Sequence, residues 1–233
     1  MAAPFEGFGR AGLEVLRGLV ANNTRDWFEA RKATYVAEVV EPAKALVVAL
    51  ADRLAPLAPD LRPRPTVDGS VFRLHRDQRF TRDAAPYKTE QAMFLWGEGP
   101  KRGAPGFYLS LKGDEVALGA GVFGVVDVDP WRAAVDAPAS GAAWERAVAD
   151  ATAAHGPLQM FEPDLKRVPA PYPADHPRAE WLRRKHVTLA ITEDTPAVIA
   201  DERFVDWCAE RLAPFADVHR WLRTHLGERG PQR

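Results

Sequence analysis

Residues 89–121 read TEQAMFLWGEGPKRGAPGFYLSLKGDEVALGAG, and this stretch decides the fold. Thr89–Trp96, Gly106–Leu111 and Glu115–Gly121 are short runs with a period near two, the spacing of a strand. Lys112-Gly113-Asp114 lies between the last two and reads as a hairpin turn, with glycine supplying the backbone freedom a tight reversal needs. Val71–His75, just upstream, has the same period. Three or four short strands with tight connections predict an antiparallel sheet rather than a βαβ array, whose parallel strands need long crossovers.

On the N-terminal side the period lengthens to 3.6. Leu13, Leu16, Leu19 and Val20 form one helical face within residues 8–21. Asn22 and Asn23 break the pattern and are placed to cap the next helix. Phe28, Tyr35, Val39, Leu46, Leu50, Leu54 and Leu57 continue at spacings of three, four and seven, across Pro42. A proline inside such a pattern predicts a kinked helix or two abutting ones. Trp27 and Phe28 read as core.

On the C-terminal side Asp129-Pro130 and Thr195-Pro196 are helix starts, a capping residue followed by proline. Helices are expected over 130–137, 141–154, 177–185, 195–212 and from Pro214 to Leu226. Residues 156–177 are proline-rich and predict an ordered loop, and Val187–Ile191 suits a further strand. The expectation is a single α+β domain over 1–233. It is helical over 8–57, sheet over 67–124 and mainly helical over 129–226, with an antiparallel sheet of about four strands packed by N-terminal and C-terminal helices.

Composition bounds the function. The 233 residues carry 31 basic and 32 acidic side chains, a net charge of -1, which argues against a dedicated nucleic-acid coat. Hydrophobic residues make up 46%, which excludes a disordered chain. No segment reaches the roughly 20 apolar residues that span a bilayer, and the N-terminus lacks a signal-peptide pattern. A cytoplasmic protein without a membrane partner is expected. Cys208 is the only cysteine, so no intrachain disulfide and no Cys-built zinc site can form.

The densest chemistry lies at 72–88, FRLHRDQRFTRDAAPYK. Between Arg62 and Lys88 there are seven basic and three acidic residues in an otherwise neutral chain. On a strand, Phe72 and Leu74 face the core while Arg73 and His75 face away. Guanidinium groups bind phosphates and carboxylates through paired hydrogen bonds, so Arg73, Arg76, Arg79 and Lys88 are candidate anion ligands, with Asp77 and Tyr87 among them. The same alternation of charges also suits an internal ion-pair lattice. A second basic stretch carries Lys166, Arg167, His176 and Lys185, and the candidate pocket includes it if the two stretches meet. Asp77 and His176 are the candidate acids or bases. Lysine is scarce, 7 against 24 arginines, which makes each lysine in these stretches more telling.

Other motifs carry less. Gly119-Ala120-Gly121-Val122-Phe123-Gly124 matches G-x-G-x-x-G, but no helix opens at its last glycine, so it reads as a glycine-bent strand. The six histidines show no metal-ligand spacing, and no metal or cofactor is expected. Cys208 reads as buried, and Ser70 and Ser110 lack a nucleophile-elbow context.

The string F-R-x-x-R-D-x-R-F at 72–80, followed by Pro86-Tyr87-Lys88, resembles the signature of DUF2461, a family of microbial and fungal proteins. Asn22-Asn23 with Trp27-Phe28, Pro-Gly-Phe-Tyr at 105–108, and Leu165-Lys166-Arg167 followed by Asp175-His176-Pro177 resemble it in the same order. The chain departs from that pattern at Ala84, where a lysine is usual, and at Ala170-Pro171, where a glycine is common. The resemblance implies one α+β domain of about this length and transfers no catalytic residue. The functional expectation is therefore drawn from the residues: binding of, or action on, a small phosphate- or carboxylate-bearing ligand. The alternatives are a nucleic-acid-binding module, with Phe80, Tyr87 or Tyr108 as stacking aromatics, and a non-catalytic protein-interaction domain in which the charged loop is a brace.

Overall fold

The computed structural model describes residues 4–77 and 85–227. It is α+β, with one antiparallel four-stranded sheet in the order β1-β2-β3-β4. The strands are β1 Gln91–Trp96, β2 Pro105–Leu111, β3 Glu115–Val122 and β4 Thr188–Asp194. The helices are α1 Arg10–Ala21, α2 Arg25–Glu29, α3 Lys32–Tyr35, α4 Glu41–Leu54, α5 Val128–Asp136, α6 Pro138–His155, α7 Ala179–Leu182, α8 Phe204–Leu212 and α9 Ala216–Leu226. The chain divides into two compact units. The first comprises Met1–Leu95, Tyr108–Leu118 and Thr192–Arg211, and the second Trp96–Phe107, Gly119–Ile191 and Leu212–Arg233.

In the first unit, α1 buries Leu13, Val15, Leu16 and Leu19, while Val20 is 67% exposed. Val15 replaces Val20 on the core face because it lies four residues before Leu19, one turn away. The long pattern across Pro42 resolves into α3, a π-helical turn at Val36–Val40, and α4. Proline has no N–H, and its ring crowds the carbonyl four residues back. The wider turn, in which Glu41 N–H donates to Val36 O, absorbs that irregularity. The turn also serves α1: Glu38 accepts the Gly12 N–H at 2.8 Å, satisfying one of the helix's open donors.

The predicted hairpin turn is present. Lys112 N–H donates to Glu115 O at 2.9 Å, and Gly113 has φ 86°, a conformation L side chains rarely adopt. Arg17 fixes the turn through Asp114 at 2.5 Å and Gly113 O at 3.0 Å. The fourth strand differs from expectation. Val71 and His75 form only isolated bridges, and β4 completes the sheet from far along the chain, beyond the 67–124 expected for it. Gly119 and Gly121 explain that closeness in the second unit. A Cβ on either would stand 2.0 Å from Leu189 O or 2.3 Å from Val187 O.

The second unit's core is a tryptophan cluster. The Trp144 ring centroid lies 5.3 Å from Trp131, 5.1 Å from Trp181 and 4.9 Å from Trp221. The Trp131 indole donates to Trp181 O at 3.0 Å and that of Trp221 to Ser140 O at 2.9 Å. These bonds join α5, α6, α7 and α9.

Candidate functional site

The first basic stretch lies in the first unit and folds as an irregular antiparallel pair. Arg76 N–H donates to Pro86 O at 3.0 Å and Lys88 N–H to Leu74 O at 2.8 Å, with His75 opposite Tyr87. Further along, Phe72 N–H donates to Ala92 O at 2.9 Å, with Val71 opposite Met93. Between these points the register slips by two residues, a bulge at 89–91. The Gln91 side chain fills the gap. Its amide donates to Phe72 O at 2.9 Å, and its carbonyl oxygen accepts the Tyr35 hydroxyl.

Asn23 was expected to cap a helix, but Thr24 does so, accepting the Trp27 N–H at 3.4 Å. Asn23 instead pairs with the backbone of Tyr87, accepting its N–H at 3.0 Å and donating to its carbonyl at 2.9 Å. Arg76 Nε donates to the same carbonyl at 2.9 Å. The Tyr87 ring is 2% exposed and packs 4.4 Å from Phe28 and 4.8 Å from His75. Phe72 is half-buried and Leu74 buried, and Arg73 and His75 are exposed, as the strand reading expects.

Of the candidate cations here, Arg73 is exposed and lies 3.9 Å from Asp68. Arg76 and Asp77 are exposed at the end of the strand-like segment. Arg79 lies outside the described residues, as does Ala84. Lys88 is half-buried, with its Nζ 5.4 Å from the centroid of the Phe72 ring. Among the described residues, no hydrogen bond or ion pair holds that nitrogen. Burial lowers the Lys88 pKa; Glu90 and Asp68 oppose the shift, and Arg73 and Arg76 add to it. Glu90 also acts on Tyr108. Burial foremost, with that carboxylate, pushes the phenol up to about 12 against a hydrogen bond with Ser110.

The second basic stretch lies in the second unit. Asp164 organises it, accepting the backbone N–H groups of Lys185 at 2.5 Å and His186 at 3.0 Å, with His186 Nδ1 at 2.6 Å. Burial alone would raise this carboxyl, but those bonds and the imidazole hold its pKa down at about 2. Arg184 is 4% exposed and engages Phe161 O and Glu180. His176 uses both ring nitrogens: Nδ1 accepts the Arg178 N–H at 3.0 Å, and Nε2 faces Asp136 at 3.1 Å. Nδ1 is therefore an acceptor, and Nε2 carries the proton that Asp136 receives. Lys185 is half-buried, whereas Lys166 and Arg167 are exposed.

Sequence reasoning missed Asn23, Gln91 and Asp164 as organisers. Each acts on backbone far along the chain, and only Asn23 stood in a quoted motif. It also missed a cleft of about 710 Å³ in the first unit, lined by Gly7, Phe8, Glu38, Pro42, Pro65 and Ala200 among others. None of the predicted site residues lines it. The described residues contain no group of His, Cys, Asp and Glu suited to a metal ion, and Cys208 is buried with its thiol pKa pushed up by burial. No described helix is long and apolar enough to cross a membrane.

An α+β chain with a cation-rich, bulged strand pair is the class these observations define. The chain belongs to the DUF2461 family, described as a conserved hypothetical protein, which it matches over residues 11–221. No curated protein and no solved structure matches the chain.

Proposed function

We propose that this protein binds, or acts on, a small ligand bearing a phosphate or carboxylate, at a site formed by Arg73, Arg76 and Lys88. The observation that carries the reading is Lys88. A half-buried ammonium normally recruits a carboxylate, because burial without a counter-charge is unfavourable. Here Glu90 and Asp68 act on it only through their charge, with no described ion pair to its nitrogen, and the Arg73 and Arg76 charges oppose them, so an anion from solution would supply a direct partner. A cytoplasmic setting belongs to the same proposal, supported by a single buried cysteine and by no long apolar helix among the described residues.

Arg76 favours a second reading. Its bond to Tyr87 O is a structural brace, as a protein-interaction domain without a ligand would use it. Thermal unfolding with phosphate, sugar phosphates, nucleotides, dicarboxylates and short single-stranded DNA separates these readings. Binding to the native state at one hundred times the dissociation constant adds about 2.7 kcal/mol. The anion reading expects a rise with one small-anion class that Lys88→Ala and Arg76→Ala both lose. A rise only with DNA, falling steeply with salt, makes the site a nucleic-acid surface. No rise with any of them leaves the brace.

A further inference from the structure

The chemistry of Lys88 deepens the anion-site reading and rests on it. A lysine that only holds an anion needs to be a point charge at the surface. Lys88 is placed differently. Its backbone is fixed by Leu74 O at the edge of the bulge, and its stem is half-buried with Nζ over the Phe72 ring. Bulges re-aim side chains and recur beside active sites. This one is held open from inside, by Gln91 on Phe72 O and by Tyr35 on Gln91. Glu90 sits within the bulge, and its charge acts on both Lys88 and Tyr108.

We propose that Lys88 condenses with the carbonyl of a small aldehyde or ketone whose phosphate or carboxylate is held by Arg73 and Arg76. The amine must be neutral to react, and burial foremost, with the Arg73 and Arg76 charges, favours the neutral form against Glu90 and Asp68. The Nζ lone pair attacks the carbonyl carbon, forming the C–N bond while the C=O π pair moves to oxygen. Both nitrogen protons pass to that oxygen, which leaves as water as the C=N bond forms. No oxidant or reductant is consumed. Glu90 is the group assigned to carry the proton from nitrogen to the departing oxygen.

Pyridoxal 5′-phosphate, an aldehyde with a phosphate, is a suitable probe, with pyridoxal as its phosphate-free counterpart. The whole protein is treated with each, reduced with borohydride, and mapped by peptide mass. The expected adduct forms on Lys88 at least about tenfold faster than on each of the other six lysines, a preference of about 1.4 kcal/mol. It forms at lower pH than theirs, is slowed by inorganic phosphate, and is much weaker with pyridoxal. Lys88→Arg, which keeps the cation and is checked by its melting curve, loses it. If phosphate stabilises the protein but Lys88 is modified no faster than the other lysines, the condensation is overturned and the anion reading stands. If pyridoxal labels Lys88 as fast as its phosphate ester, and phosphate does not protect, the anion reading falls and this inference falls with it.

Discussion

Around Asp164 the fold ties down a basic stretch through its backbone, whereas no described hydrogen bond or ion pair holds the Lys88 ammonium in the other. Asp164 gathers two backbone N–H groups and an imidazole, and Arg184 reaches a carbonyl and a carboxylate. Lys88 has an aromatic ring beneath it and feels guanidinium and carboxylate charges with no described ion pair. The difference lies in the acids rather than the bases. One carboxylate aimed at backbone donors turns a cation-rich loop into a brace. Asp68, which pairs with Arg73, stays 3.9 Å away and exposed, too weakly placed to neutralise its stretch.

The largest effect is expected at Arg184. Arg184→Met should destabilise the protein by about 2–3 kcal/mol, because it strips a buried network of its donors. Denaturant unfolding measures this, and a loss under half a kcal/mol would mean that the second stretch is not a brace. Asn23→Ala comes next, at about 2 kcal/mol, since the Tyr87 N–H loses its acceptor. Arg76 alone would then have to hold the Tyr87 carbonyl.

Asp164→Asn should remove about 1 kcal/mol, a figure discounted for its partial solvent contact. Its pH signature has a definite sign. The folded carboxyl has a lowered pKa, so its contribution is complete above about pH 4 and is lost as the pH falls through about 2. Wild-type stability measured from pH 5 to 2 should fall faster than that of the Asn variant. The smallest effect is expected at Lys88→Met. A lowered amine pKa means the folded state holds this proton less tightly than the unfolded chain, so the ammonium opposes folding below that pKa. Removing it should leave stability unchanged or raise it by less than about 1 kcal/mol.

The sequence carried the sheet because its signals are local. A period of two, and a glycine at the Lys112-Gly113-Asp114 turn, follow from neighbouring residues alone. The fourth strand was harder, because Val71–His75 and Thr188–Asp194 are both β-like and pairing depends on the whole sheet. Gly119 and Gly121 held the clue, since a strand without Cβ atoms admits a close neighbour. The cations of the site were legible by composition. Their state was not, because it depends on side chains far off in the chain, such as Asn23 on Tyr87 and Asp164 on Lys185. His176 illustrates this: as a lone histidine among cations it reads as an acid or base, but its two nitrogens are both engaged.

The proposal sets Lys88, which awaits an anion, against Arg184, whose two terminal nitrogens already hold Phe161 O and Glu180. The most direct test is unfolding of wild type, Lys88→Met and Arg184→Met across a phosphate titration. Phosphate should stabilise wild type and Arg184→Met alike and leave Lys88→Met, at or above wild-type stability without phosphate, unmoved. A Lys88→Met protein that melts well below wild type, with phosphate indifferent in all three, would contradict it and make Lys88 one more structural residue.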